Sequence, residues 1–235
     1  MTYGVGLKMD RGLIFMSDTR TNAGLDNIAS FGKMRTWAAE GDRVIVLLSA
    51  GNLATAQAVG SLINERKGEF LALSSMFQVA RFIGETIKKV IKMNADAPKG
   101  GGSFLASFIL GGQIKGEEPR LYYIYPEGNF IESTPDTPYF QIGEHKYGKP
   151  ILVRAYDAAM TFEDAVKLLL VSFDSTLKSN LSVGLPLDLQ TYVGDSFKQG
   201  LQKRIDRNDP YYLTISDGWG EALKRAFASL PAFEG

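Results

Sequence analysis

The sequence predicts an α+β domain in which helices are layered over antiparallel sheets. Strand-like segments stand in blocks before and after a pair of adjacent helices, and they do not alternate with single helices as in a doubly wound parallel sheet. Several neighbouring strands are joined by short turns, which connect antiparallel strands. The 235 residues are 45% hydrophobic and contain no linker or repeat, so one domain over residues 1–235 is expected.

The first part of the chain is predicted to fold as two hairpins. Their strands cover residues 3–9, 12–17, 33–39 and 43–50, with turns at 10–12 and 40–42. Residues 18–29 between the hairpins form a polar loop rich in turn-forming residues. Because residues 43–50 are almost continuously apolar, this strand is expected to be buried on both faces.

Apolar residues at helical spacing predict helices at 52–67, 71–93 and 162–180, with a final helix near 218–229. Asn52 is the expected N-cap of the first helix, which should end before Gly68. Thr161 and Asp164 resemble a capping box for the third. The remaining strands are predicted at 103–114, 119–127, 129–133, 139–143, 189–194 and 211–215, and 97–103 is a loop.

Composition excludes several classes of function. The 26 basic and 26 acidic side chains balance, whereas binding of nucleic acid needs a basic face. The chain has no cysteine and one histidine, His145, which excludes thiol nucleophiles and zinc sites of several histidines or thiolates. We therefore expect no metal and no cofactor. Because we find no signal peptide and no apolar run that could span a bilayer, we expect a cytoplasmic protein without a membrane partner.

Several short motifs carry little weight. KGGGS at 99–103 lacks the spacing of a phosphate-binding loop. SFGK at 30–33 and STLK at 175–178 match a serine–lysine pattern without its partner motifs, and NLS at 180–182 matches a glycosylation sequon. His145 lacks the other members of a serine triad, so a surface or capping role is favoured for it.

Thr2 is the candidate nucleophile. A threonine hydroxyl needs a base, and removal of Met1 would place the chain's own α-amine beside it. The reference pKa of that amine is about 7.7–8.0, so a modest depression leaves much of it neutral at neutral pH. Methionine aminopeptidase is expected to accept a small second residue such as threonine. If their strands pair side by side, Lys33 could tune both groups by its charge and Asp18 could hold Lys33.

The chain resembles a proteasome β subunit over essentially its whole length. Thr2, the loop DTRTNAG at 18–24, Lys33 and the pair Ala50–Gly51 after a buried strand follow the pattern of that family. MTYGVGLKMDRGLIFMSDTRTNAG and GEHKYGKPIL are closest to a bacterial homologue of this subunit. The resemblance implies an N-terminal nucleophile hydrolase: a four-layer αββα sandwich of two antiparallel sheets flanked by helices.

The resemblance also implies catalytic roles. Thr2 would supply the nucleophilic hydroxyl and, through its free amine, the general base. Lys33 would tune both groups electrostatically, and Asp18 would orient Lys33. The backbone N–H of Gly51 would stabilise the oxyanion of the tetrahedral intermediate.

Around the nucleophile the match with the family is less complete. Asn22 and Ser49 would border a channel in which an extended peptide pairs with the loop backbone. The family has a serine after a loop glycine where this chain has Glu144. In the family motif D-x-x-S-G-G, Ser179 stands in place of the aspartate, whereas Ser182 matches the serine. These supporting groups hydrogen-bond around the threonine amine in the family, so the changes weaken the prediction of strong proteolysis.

Two classes of function stay open at this point. One is a threonine peptidase or amidase that acts on peptides or unfolded protein inside a ring-like or stacked homo-oligomer, which the zero net charge permits. The other is an assembly or binding protein that keeps the fold with little hydrolytic activity. A small-molecule amidohydrolase would use the same residues as the peptidase.

Overall fold

The computed structural model describes residues 2–22, 28–94 and 104–234, and of Asn22 and Ile28 only the backbone. Met1, Gly24 and the glycine-rich segment 99–103 lie outside the described residues.

The strands and helices are labelled here in chain order. The strands are β1 Tyr3–Met9, β2 Gly12–Asp18, β3 Arg20–Asn22, β4 Ile28–Ser30, β5 Met34–Ala39, β6 Arg43–Gly51, β7 Ala106–Ile114, β8 Arg120–Ile124, β9 Phe130–Glu132, β10 Tyr139–Gly143, β11 Leu187–Val193 and β12 Gln202–Ile205. The helices are α1 Leu53–Glu65, α2 Lys67–Leu71, α3 Met76–Met93, α4 Lys149–Ala155, α5 Phe162–Ser179 and α6 Pro210–Ala228.

Two five-stranded antiparallel sheets form the centre of the molecule. The first sheet has the order β10-β1-β2-β11-β12, and the second has the order β5-β6-β7-β8-β9. A small separate sheet pairs β3 with β4 within the predicted polar loop 18–29. The hairpins β1–β2 and β5–β6 are confirmed, but they belong to different sheets.

Three groups of buried apolar side chains hold the layers together. One, around Phe70, packs α1, α2 and α3 on the outer face of the second sheet. Another, around Phe173, packs α4, α5 and α6 on the outer face of the first sheet. The third lies between the sheets, where Phe15 of β2 joins residues of β6 and β7. The order helix, sheet, sheet, helix confirms the predicted four-layer αββα sandwich.

Local sequence signals explain several element boundaries. The side chain of Asn52 caps α1 by accepting from the Thr55 N–H, and that of Thr161 caps α5 by accepting from the Asp164 N–H, as predicted. The apolar strand β6 is buried along nearly its whole length, as predicted. The first helix ends earlier than expected, at Glu65, and α2 then runs through Gly68.

One predicted strand was wrong, and two elements were not predicted. Residues 211–215 form no strand; they lie in α6, which begins at Pro210 with Asp209 as its N-cap. The short helix α4 was not predicted. Strand β12 was also missed, because three of its four side chains are polar and exposed, so it lacks an apolar alternation.

Within the described residues, no helix is both long and apolar enough to cross a membrane.

Candidate active site

The hairpin β1–β2 brings Asp18 to the N-terminal end of the chain. In its register Gly4 lies opposite Ser17, so the last residue of β2 reaches the start of β1. There the backbone N–H of Tyr3 donates to Asp18 Oδ1 at 3.0 Å. Thr2, one residue earlier, is buried, with 6% of its surface exposed. The candidate nucleophile and the candidate aspartate are therefore neighbours because of the hairpin.

Lys33 reaches the same place from the other sheet. It immediately precedes β5, so the expectation that its strand pairs beside the strand of Asp18 was wrong. The Lys33 ammonium crosses between the sheets and donates to Asp18 Oδ1 at 2.8 Å and to the Arg20 carbonyl at 2.6 Å. The Ser49 N–H donates to the Lys33 carbonyl at 3.0 Å, which fixes the backbone that carries the lysine.

Asp18 and Lys33 form a buried ion pair. The carboxylate also accepts from the Gly184 N–H at 3.2 Å, so donors from three parts of the chain surround it. Burial raises the pKa of Asp18 and lowers the pKa of Lys33, while the attraction between the two charges opposes both changes. A lysine with a lowered pKa is typical of sites where proton transfer is tuned by charge.

An open cavity of about 650 Å³ lies in front of these residues. Its walls include Thr2, Lys33, Ser49 and Gly51. The structure thus brings together four residues that were singled out in the sequence, with Asp18 directly behind Lys33. A cavity of this size accommodates a few residues of an extended peptide or a small molecule.

Gly51 ends β6 at the wall of this cavity, in a conformation that favours glycine. Its φ is +104°, and a Cβ at this position would lie 2.5 Å from the Leu105 carbonyl oxygen. A side chain here would strain the backbone and displace β7. The glycine therefore lets the chain turn from β6 into α1 while its backbone borders the cavity.

Gly143 and Glu144 hold the backbone of Thr2 from the opposite side. The Glu144 N–H donates to the Thr2 carbonyl at 2.6 Å. Gly143 has a φ of +78°, and a Cβ there would collide with the Thr2 carbonyl. The position of these two residues beside Thr2 results from the pairing of β10 with β1, in which Gly143 lies opposite Tyr3.

The Glu144 carboxylate belongs to a small network that the sequence did not reveal. It accepts from the Lys146 N–H and from the Asn180 amide, both at 2.8 Å. Asn180 Oδ1 in turn accepts from the Ser182 N–H at 2.9 Å. Burial acts to raise the pKa of Glu144, but these hydrogen bonds outweigh it and lower the pKa overall. Asn180 was noted only as part of a sequon, and nothing in the sequence tied it to Glu144.

The other predicted positions lie less close to Thr2. The Ser179 hydroxyl is exposed and donates back to the Ser175 carbonyl within α5, so the structure does not bring it into the site. Ser182 is half-buried and joins the network through its backbone. Asn22 ends β3, and its side chain lies outside the described residues. The ring of the exposed His145 contacts the Gly143 carbonyl at 3.3 Å.

Sequence reasoning also missed Arg20. Its carbonyl accepts from Lys33, its side chain lines the cavity, and its guanidinium donates to the Leu181 carbonyl at 2.9 Å. Across residues 2–22, 28–94 and 104–234, no group of three or more His, Asp or Glu residues is arranged to hold a metal ion.

Comparisons with known proteins point to one family. Residues 2–185 match the family model described as proteasome subunit. The chain is 50% identical to a Gly-1 mutant of Anbu from Hyphomicrobium sp. strain MC1, with 100% of both chains covered and a TM-score of 0.94. It is 46% identical to Anbu (ancestral beta-subunit) from Yersinia bercovieri, with 99% of both chains covered and a TM-score of 0.93.

A third solved structure is the helical assembly of the Anbu complex from Pseudomonas aeruginosa. Its chain is 41% identical, with 99% of this chain and 98% of that chain covered and a TM-score of 0.92. No curated protein sequence matches the chain.

Proposed function

Since the chain belongs to the proteasome subunit family, and within it to the Anbu group, we propose that it is a threonine hydrolase whose nucleophile is Thr2 after removal of Met1. The family itself was predicted from the sequence, and the comparisons confirm it. The proposed reaction is cleavage of a peptide or amide bond. Its substrates are peptides or unfolded protein segments that fit the open cavity.

One observation carries the proposal. Thr2 is buried at the wall of a cavity that it shares with Lys33 and Gly51, and Lys33 is paired with Asp18 at 2.8 Å. A buried ion pair is costly to desolvate, and hydrophobic residues of similar volume often stabilise a protein better. A buried Lys–Asp pair beside Thr2 is therefore better explained by a role in catalysis than by a contribution to the stability of the fold.

The proposed first step is acylation of the threonine. The Thr2 hydroxyl oxygen attacks the carbonyl carbon of the scissile bond, and the hydroxyl proton passes to the neutral α-amine of Thr2. The electron pair of the carbonyl π bond moves to its oxygen, which the backbone N–H of Gly51 stabilises. When this intermediate collapses, the C–N bond breaks and the ammonium returns its proton to the leaving amine.

The second step releases the product. A water molecule attacks the ester carbonyl of the acylated Thr2 and gives its proton to the α-amine. The C–O bond to Thr2 then breaks, and the amine returns the proton to the threonine oxygen. The charge of Lys33 keeps the pKa of the amine low, so that the amine is neutral and able to accept a proton in both steps.

The fixed backbone of Thr2 supports both steps. Glu144 holds the Thr2 carbonyl at 2.6 Å, and Asp18 holds the next N–H along the chain at 3.0 Å. In place of the family's serine and aspartate, the Glu144–Asn180 network supplies the hydrogen bonds on this side, with Ser182 attached to it. Ser49 and Asn22 border the path of the peptide.

We propose that the protein works as a homo-oligomer. The chain from Pseudomonas aeruginosa to which it is 41% identical forms a helical assembly of the Anbu complex. The zero net charge of this chain leaves little electrostatic repulsion between copies. A cavity that opens into an assembly would admit only short or unfolded substrates.

The test is the intact mass before and after incubation with a peptide epoxyketone. This reagent forms a ring adduct only with a hydroxyl and an adjacent free amine. We expect a starting mass without Met1 and one adduct per chain. Thr2→Ala should form no adduct, whereas Thr2→Ser should still form one, because it keeps both reacting groups.

Two outcomes would favour one of the two alternative functions over a threonine peptidase. Absence of Met1 with no adduct would overturn the nucleophile and favour an assembly or binding protein with little hydrolysis. An adduct together with cleavage of small amides far faster than peptides would favour a small-molecule amidohydrolase. If Met1 is retained, the same assay is repeated after treatment with methionine aminopeptidase.

A further inference from the structure

Strand β10 has a free edge. It ends the first sheet and pairs with β1 on its other side. The Lys8 N–H donates to the Pro138 carbonyl at 2.8 Å, just before the strand. Because antiparallel strands bond at every second residue, Tyr139 and Gln141 turn their backbone N–H and C=O groups away from β1. Among the described residues these four groups have no hydrogen-bond partner, so the edge is a template for a further strand.

A cavity of about 400 Å³ runs along this edge. At the end of the second sheet, Tyr123, Tyr125 and Ile131 form one of its walls. The centroid of the Tyr123 ring is 4.7 Å from that of Tyr125 and 5.9 Å from that of Phe140 in β10. Ile131 lies opposite Tyr123 in the β8–β9 register and is 44% exposed. Tyr123, Tyr125 and Ile131 thus form an apolar wall that adjoins the free edge.

The side chains of β10 alternate between two environments. Phe140 packs in the core between the sheets, whereas Tyr139 packs against the core beneath α4, α5 and α6. On the same face as Tyr139, the Gln141 amide donates to the Tyr3 hydroxyl at 2.8 Å. In an antiparallel pair, directly opposite residues place their side chains on the same face. A residue added opposite Phe140 would therefore direct its side chain toward the apolar wall.

The same edge leads to the candidate nucleophile. Gly143 ends β10 and lines the open cavity beside Thr2. Since a strand rises about 3.4 Å per residue, Gly143 lies roughly 7 Å along the strand from Gln141. One extended chain of a few residues can therefore occupy both cavities. This continuity favours the substrate itself as the occupant of the edge.

We propose that the free edge of β10 is an exosite for the peptide substrate, a binding site outside the cavity beside Thr2. An extended segment of the substrate pairs antiparallel with Tyr139 and Gln141 and lays an aromatic or large aliphatic side chain on the apolar wall. The backbone bonds hold the segment in extended form, and the wall selects the side chain. This inference rests on the proposed hydrolase function, because it names a binding site for the substrate of that reaction.

The experiment measures binding of a fluorophore-labelled peptide, Lys-Thr-Phe-Thr-Phe-Thr-Lys, to the Thr2→Ala chain by fluorescence anisotropy. This variant lacks the proposed nucleophile, so the result does not depend on hydrolysis. With a phenylalanine opposite Phe140, the peptide turns its threonine N–H groups toward β10. N-methylation of two threonines should weaken binding about tenfold or more, whereas N-methylation of the two phenylalanines should leave it within about twofold.

Variants of the apolar wall locate the site. Tyr125→Ala and Ile131→Ala should each weaken binding several-fold, up to about tenfold. Tyr211→Ala removes an exposed tyrosine of α6 outside this cavity and should leave binding unchanged. Thermal unfolding of each variant checks that it is folded.

Several results would overturn the exosite. These are absence of peptide binding, undiminished binding of the threonine-methylated peptide, and equal losses in Tyr125→Ala and Tyr211→Ala. Binding only to single chains freed from the assembly would mean that a second copy covers the edge, and would also overturn it. Failure of the hydrolase proposal is seen separately, since peptide binding at β10 without an epoxyketone adduct would support the site and overturn the nucleophile.

Discussion

Lys33 and Asp18 form a 2.8 Å ion pair that joins the two sheets of the sandwich. Asp18 ends a strand of the first sheet, and Lys33 leads into a strand of the second. Both side chains are buried, so their interaction is weakly screened by solvent. The pair therefore fixes the spacing of the sheets at the point where Thr2 meets the cavity.

Asp18→Asn should shift the alkaline side of the pH profile to lower pH. Burial lowers the pKa of Lys33, and the Asp18 charge raises it, so removing that charge lowers the pKa further. If Lys33 must be protonated, the reaction rate falls as pH rises through its pKa. We expect this fall at a lower pH in Asp18→Asn than in the unsubstituted chain. The measurement is the rate of epoxyketone adduct formation between about pH 6 and 10.

The control for this experiment is Asp217→Asn, which removes an exposed carboxylate in α6. Its pH profile should coincide with that of the unsubstituted chain. An unchanged alkaline limb in Asp18→Asn would show that Lys33 does not govern the rate.

Gly143→Ala should displace Thr2, and Gly41→Ala is its matched control. The two glycines have nearly the same φ, +78° and +79°, so an alanine is strained by about 1–2 kcal/mol at either position. A Cβ at Gly143 collides with the Thr2 carbonyl, whereas one at Gly41 meets nothing within 4 Å. We expect Gly143→Ala to lose more stability in urea unfolding and to form the adduct more slowly.

In contrast, Gly41→Ala should form the adduct at the normal rate. Equal adduct rates in the two alanine variants would refute the claim that Gly143 sets the position of Thr2.

Glu144→Gln tests the network beside Thr2 through its pH dependence. The pKa of Glu144 is lowered in the folded protein, because the hydrogen bonds from Lys146 and Asn180 outweigh burial. A lowered carboxyl pKa contributes stability above the unfolded value of about 4.3, and this contribution is lost as pH falls through the folded pKa. We expect Glu144→Gln to be less stable by about 1–2 kcal/mol at neutral pH, with the difference closing in acid.

Urea unfolding of both proteins at neutral pH and near pH 3 measures this difference. A gap of the same size at both pH values would mean that the charge of Glu144 contributes nothing.

Tyr3→Phe should loosen the residue next to the proposed nucleophile, Thr2. The Tyr3 hydroxyl bonds to Ser172 Oγ at 2.7 Å and accepts from the Gln141 amide at 2.8 Å. Phenylalanine keeps the ring contact with Phe173 but leaves the Gln141 amide without this acceptor, while Ser172 keeps its bond to the Gly148 carbonyl; we expect a cost of about 1 kcal/mol. We expect a lower free energy of unfolding and a slower adduct rate. Tyr147→Phe, at an exposed position, should change neither quantity.

Much of the fold could be predicted because its signals are local. The turn 10–12, the apolar run of β6 and the caps Asn52 and Thr161 each act within a few residues, and each was found in the structure. The error at 211–215 was also local. Asp209 followed by Pro210 is a helix start, and the aromatic run after it was mistaken for a strand.

The arrangement of the site could not be predicted from spacing, because it depends on which sheet each strand joins. Two consecutive antiparallel hairpins can pair in one sheet or stack in two, and the local sequence is the same in either case. The resemblance to a known family supplied Gly51, but not the contact between Glu144 and Asn180. That contact joins residues 36 positions apart and has no sequence signature.

The division of the site between two sheets has a consequence for the newly made chain. Thr2 precedes one strand of the first sheet and Asp18 ends another, whereas Lys33 precedes a strand of the second sheet and Gly51 ends one. A partly folded chain with a single sheet would expose a threonine that has neither its lysine nor its cavity. Under the proposed mechanism, such a chain would be inactive, and hydrolysis would first appear when the central core closes.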